Sequence, residues 1–145
     1  MAYRSVLAVS LLIITTGCPS KECEPGGPMT VSAMIDAKPY CAAVENVNVS
    51  AGNINVASST DTMSVNFGFP DSGDTFTLGP NVALSFQVQT PSGTWTAAQT
   101  VGSGSLTVDL RTPSSASGTF KFVGQPLAGS SGSKAVDSGE FKITF

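Results

Sequence analysis

The sequence predicts an all-β protein: an antiparallel β-sandwich or closed barrel of about eight to ten short strands behind a signal peptide and a linker. Three observations point there. Beyond Pro28 apolar and polar residues alternate with a period of two. Turn-forming clusters of Gly, Pro, Asn and Asp recur roughly every ten residues. No window carries an apolar stripe of period 3.6 long enough to make a helix.

Val31, Ala33 and Ile35 alternate with Thr30, Ser32 and Met34. Val47 and Val49, then Ile54 and Val56, alternate with asparagines and serines across the turn Ala51-Gly52-Asn53. Met63, Val65, Phe67 and Phe69 lead into the turn Pro70-Asp71-Ser72-Gly73-Asp74, and a short run at Phe76 and Leu78 follows. Val82, Leu84, Phe86 and Val88 precede Pro91-Ser92-Gly93. Leu106, Val108 and Leu110 alternate with Thr107, Asp109 and Arg111. Phe120 and Phe122 flank Lys121, and Phe141, Ile143 and Phe145 flank Lys142 and Thr144. In each run one parity is apolar and the other is polar, so each strand is expected to bury one face and wet the other. On this reading removal of residues 141–145 takes away three core side chains.

The first 17 residues read differently. Arg4 and the amino terminus supply positive charge, residues 6–14 (VLAVSLLII) a short apolar run, and Thr15, Thr16 and Gly17 small residues before Cys18. That order is a secretory signal. Nine helical residues rise only about 14 Å, half a bilayer, so the run is too short for a permanent span. Thr16-Gly17-Cys18 resembles the lipobox of bacterial lipoprotein signals, although Thr15 stands where that family usually has Leu. The resemblance implies lipidation at Cys18, which becomes the acylated amino terminus. Two or more acyl chains hold a protein stably on a bilayer where one holds it marginally. Pro19 follows Cys18 in place of the Asp that retains enterobacterial lipoproteins in the inner membrane. The expected location is therefore the bacterial outer membrane, on its periplasmic or its surface side.

The expected organisation is a signal peptide over residues 1–17, a lipidated cysteine and flexible tether over 18–28, and a β-sandwich domain over 29–145. The tether PSKECEPGGP holds three prolines and two glycines and has no periodicity. Cys23 and Cys41 remain beyond the anchor. In an exported chain they can oxidise to a disulfide pinning the tether to the first hairpin. The other reading is a linker thiol and a half-buried strand cysteine, and the bridge is the favoured one.

Composition narrows the function. Only 12% of residues are charged. Once Arg4 leaves with the signal, six basic side chains face ten acidic ones. The basic residues are scattered, so nothing favours nucleic acid, which requires clustered Lys and Arg. There is no histidine, which removes the Ser-His-Asp triad and the Cys-His dyad. Residues 102–105 (GSGS) are not a phosphate loop, because no Lys-Ser/Thr follows. Asp71-Ser72-Gly73-Asp74 offers hard oxygens but lacks the carboxylate array of a calcium loop, and reads as a solvated turn. Asp109 and Glu140 fall on polar strand faces, where a solvated charge is the usual reading. No catalytic residue, metal or cofactor is expected.

From Met29 onward the chain resembles a bacterial family of short exported β-sheet lipoproteins catalogued only as a domain of unknown function. Ile35-Asp36-Ala37-Lys38-Pro39-Tyr40 is similar to its opening hairpin, and Asp74-Thr75-Phe76-Thr77-Leu78-Gly79 to its Tyr-x-Leu-Gly segment. Gly102-Ser103-Gly104-Ser105-Leu106-Thr107-Val108 is similar to its Gly-x-Gly-x-Val-x-Ile strand. Ser117-Gly118-Thr119-Phe120-Lys121-Phe122 and Gly139-Glu140-Phe141-Lys142-Ile143-Thr144-Phe145 are similar to its closing strands. The resemblance implies a fold and no activity. Ala37 occupies the place where a two-residue hairpin turn favours Gly. A left-handed alanine is costly, so a different or longer turn is expected there. Gly118 and Gly139, each ahead of an aromatic strand residue, mark expected bulges or sites covered by a neighbouring ring.

The functional expectation is thus a membrane-tethered, non-enzymatic envelope protein with a structural or interaction role and a protein or glycan partner. The alternative is a small-ligand or carbohydrate-binding module in which Trp95 and Tyr40, the aromatic residues with polar edges in the domain, form a platform. The bland reading of that pair is that each caps the core with its polar edge in water.

Overall fold

The computed structural model describes Gly27 and residues 29–145. The signal, Cys18, Cys23 and nearly all of the tether lie outside the described residues.

Ten strands follow one another: β1 (Thr30–Ile35), β2 (Lys38–Ser50), β3 (Asn53–Ser59), β4 (Ser64–Pro70), β5 (Thr75–Thr77), β6 (Ser85–Thr90), β7 (Gly93–Ala98), β8 (Ser103–Thr112), β9 (Ser115–Pro126) and β10 (Lys134–Thr144). Every pairing is antiparallel. The order is β10-β1-β2-β3-β4-β6-β7-β9-β8-β5, and β10 also pairs with β9. Eight strands therefore form a closed ring, with β8 and β5 added along the flank of β9.

Two long strands turn the corners. The first half of β2 pairs with β1, and from Val44 onward β2 pairs with β3, with a register shift between Val44 and Asn46. β9 pairs with β8 and β10 along most of its length and reaches β7 only at Gln125 and Pro126. A first sheet (β5, β8, β9, β10, β1 and the start of β2) thus faces a second sheet (the rest of β2, β3, β4, β6 and β7). The bulge in β2 lets one strand serve both, because an extra residue sharpens local twist.

The core lies between the sheets and is aromatic at its centre. Phe67 of the second sheet stands 5.0 Å from Phe120 and 5.4 Å from Phe141 of the first, centroid to centroid. Phe86 stacks on Phe122 at 4.7 Å and 11°. Such pairs add about 0.5–1.5 kcal/mol each beyond the area they bury. Val31, Ile35, Ile54, Val65, Val88, Leu106 and Ile143 fill the space around them.

Three local expectations change. The hairpin between β1 and β2 is a two-residue turn: Ile35 pairs with Lys38, and Asp36 and Ala37 have φ of 47° and 62°. The left-handed alanine is accepted because β10 holds the turn. Asp36 N–H donates to the Ala135 carbonyl at 2.9 Å, and Ala135 N–H donates to Asp36 Oδ1 at 3.0 Å. Lys134 Nζ lies 2.8 Å from Asp36 Oδ2. Leu110 is 62% exposed, because a register shift between Val108 and Leu110 inverts the parity of β8. Phe145 lies past the end of β10 and is 41% exposed, so residues 141–145 place two side chains in the core, Phe141 and Ile143.

Of the two closing glycines, Gly139 is as expected, and Gly118 is required instead by close approach of the β8 backbone. Gly139 sits at the register shift of β10, with the Phe120 ring over the space its side chain would take. A Cβ at Gly118 would collide with the Thr107 carbonyl oxygen of β8.

Candidate functional site

Neither Trp95 nor Tyr40 forms a platform. Both are 3% exposed, on inner strand faces. Trp95 Nε1–H donates to the Gly132 carbonyl at 3.0 Å, and Lys134 Nζ sits 4.3 Å from the ring centroid. Tyr40 Oη lies 3.0 Å from Ser58 Oγ, which donates onward to the Val65 carbonyl at 2.8 Å. Each polar edge is satisfied inside the protein, so neither ring offers a face to a ligand or an edge to water.

Cys41 lies half-buried on β2 and is disulfide-bonded. The expected partner Cys23 and the lipidation residue Cys18 both fall outside the described residues. The Asp71–Asp74 loop is held by a cation from the protein itself. Arg111 Nη1 donates to the Asp71 carbonyl at 2.7 Å and Nη2 to the Gly73 carbonyl at 3.1 Å. Its guanidinium carbon is 5.9 Å from the Phe69 ring centroid.

The feature that stands out chemically is the outer face of the second sheet. Cross-strand neighbours run Asn46-Ala57-Asn66-Gln87-Thr96 in one row and Asn48-Asn55-Gly68-Ser85-Ala98 in the next. All ten are uncharged. Between the rows lies a groove of about 370 Å³. It is concave for a simple reason: Ala57 and Gly68 contribute almost no side chain in the middle of the sheet, while amides rise around them. A Cβ on Gly68 would come within 2.5 Å of Asn55 Oδ1 and 3.2 Å of Ser85 Oγ, so these two polar groups lean over the bare backbone. The side-chain amides of Asn46, Asn48, Asn55, Asn66 and Gln87 make no hydrogen bond to protein among the described residues. Each supplies one acceptor oxygen and two N–H donors to whatever lies outside. The Thr96 hydroxyl is committed, donating to the Phe86 carbonyl at 3.2 Å.

The outer face of the first sheet is different. Its groove, about 430 Å³, holds Lys121 and Glu140 among Ser105, Thr107, Thr119 and Ser138. Mixed charge among short hydroxyl residues is an ordinary solvated surface. The two faces of one sandwich thus differ in kind.

Sequence reasoning registered these asparagines only as the polar half of an alternation. Their convergence depends on register. Asn48, Asn55, Asn66 and Gln87 come from four strands, and only the pairing pattern shows that they share a face. The available signal was the lack of any Lys, Arg, Asp or Glu at outward positions of β3, β4, β6 and β7.

The fold and this face define an antiparallel β-sandwich with one neutral, amide-bearing surface. No family model, curated protein or solved structure matches the chain.

Proposed function

We propose that this is an exported, lipid-anchored protein of the bacterial outer membrane whose β-sandwich acts without catalysis, as an interaction module of the cell envelope. The observation that carries the interaction role is the uncharged groove, whose five side-chain amides make no hydrogen bond to protein among the described residues. The anchoring rests on the N-terminal order of charge, short apolar run, small residues and Cys18. A tether of ten residues reaches about 33 Å when extended, enough to hold the domain clear of the bilayer. The lack of histidine and the outward, solvated positions of Asp109 and Glu140 speak for binding over chemistry.

Metabolic labelling with palmitate tests the anchor. The wild type is expected to incorporate label and sediment with outer membranes, and Cys18→Ala to lose the label and appear in the soluble fraction. Label that persists in Cys18→Ala, or a wild type that takes up none, overturns it.

A further inference from the structure

We infer that the amide-lined face of the second sheet binds a neutral carbohydrate, an oligosaccharide whose hydroxyls replace water on Asn46, Asn48, Asn55, Asn66 and Gln87. This deepens the interaction role proposed above and rests on it.

Three properties of the face select this ligand class. The first is charge. None of the residues lining the groove is ionised, so an anionic or cationic ligand would shed its hydration and meet no countercharge. The second is polarity. The outward side chains are amides, hydroxyls and two alanines, which leaves an apolar ligand or a hydrophobic protein patch little to bury against. The third is the match of donors to acceptors. A sugar hydroxyl both donates and accepts, and a primary amide does the same from adjacent atoms. A carboxylate or a phosphate only accepts, and would leave the amide oxygens unpaired.

Shape agrees. A groove of about 370 Å³ lies at the lower end of the volumes that hold small ligands. It is open along rows of strands about 4.8 Å apart, so the same donor–acceptor pair recurs across the sheet, as suits a ligand built of repeating units. Gly68 matters most to the shape. It keeps the floor at backbone level between Asn55 and Ser85. The aromatic residues that line the groove, Phe67 and Phe86, are buried and offer no face for stacking, so the binding is expected to be weak, roughly millimolar.

The test is an amide-resolved NMR titration of the protein as purified from the cell, using maltohexaose, cellohexaose, chitohexaose and laminarihexaose, with oligogalacturonate as the charged comparison. At least one neutral series is expected to give saturable shifts centred on residues 46–48, 55–57, 66–68 and 85–87, with no saturation by oligogalacturonate. Asn66→Ala combined with Gln87→Ala removes two amides without a protein partner and is expected to weaken binding roughly tenfold or more. Gly68→Ala fills the floor by displacing the ends of two side chains, Asn55 and Ser85, and no backbone, and is expected to weaken binding as well. Lys121→Ala, on the opposite sheet, is expected to bind like the wild type. The inference is overturned if no neutral sugar saturates, if the shifts centre on the first sheet, if oligogalacturonate binds as well, or if folded Gly68→Ala keeps wild-type affinity. Self-association through the face, detected as concentration-dependent shifts without sugar, also overturns it. The palmitate experiment is independent: an unlipidated protein can still bind sugar, and a lipidated one can fail to.

Discussion

Ser58 is a polar side chain at 1% exposure, and it is tolerated there because both of its hydrogen-bonding roles are filled. It spends its single proton on the Val65 carbonyl, so the Tyr40 hydroxyl must be the donor of the bond between them. The two removals are therefore unequal. Tyr40→Phe leaves Ser58 still bonded and is expected to cost about 1 kcal/mol. Ser58→Ala strands a buried phenol and is expected to cost more, about 1–3 kcal/mol. Urea melts of both variants check the order. Burial above all pushes the Tyr40 phenol up from 10.0 to about 12. A raised folded value makes the contribution complete below the unfolded pKa of 10.0 and lost as pH climbs towards 12. Tyr40→Phe is expected to flatten the alkaline decline in stability over that interval. The inward position of Tyr40 was within reach of the sequence, since it shares parity with Ala42. Its hydroxyl's destination was not, because Ser58 arrives from another strand. Trp95 is the same case, its partner Gly132 lying in a loop 37 residues away.

At the scale of the element, the hairpin between β1 and β2 carries a correctable strain. Ala37 sits at φ 62°, where an L-residue with a Cβ pays about 1–2 kcal/mol. Ala37→Gly relieves this, less about 0.4–1 kcal/mol for the freer unfolded chain. The net expectation is a gain of about 0.5–1 kcal/mol, seen as a higher urea midpoint with unchanged slope. A lower midpoint would mean that the turn draws on a contact of the methyl group. The tie from this turn to β10 is partly electrostatic. The Lys134 ammonium, hydrogen-bonded to Asp36, holds that carboxyl below its ordinary range. Its small, solvent-screened contribution is present above the ordinary carboxylate pKa and lost on acidification through the lowered value. The strands themselves were legible: the parity of Val31, Ala33 and Ile35, or of Val65, Phe67 and Phe69, is the parity of the core. Alternation failed at Leu110 because a bulge adds a residue without any mark in the local pattern. The turn type failed because its support comes from residues 134 and 135.

For the molecule as a whole, β10 is the keystone. It pairs with β1 on one side and β9 on the other, and Phe141 and Ile143 reach into the core from it. Deleting residues 141–145 is expected to open the ring, orphan the start of β1 and abolish cooperative melting followed by circular dichroism. A soluble truncate with a single sharp transition would contradict the closure described here. The class of the fold was readable from period and turn spacing alone. The shared face of Asn48, Asn55, Asn66 and Gln87 was not, since it exists only once four strands have found their register.

The pairing of Thr30 with Lys142 also has a meaning in time. A polypeptide leaves the ribosome, or any pore it is threaded through, with its amino end leading. Of the ten strands, the first to emerge, β1, has as its neighbour the last, β10. Until then it can form a hairpin with β2 but has a bare flank, and the contacts still missing are the most distant in the chain, the slowest to form. Such a topology postpones closure of the ring until β10 itself has been made.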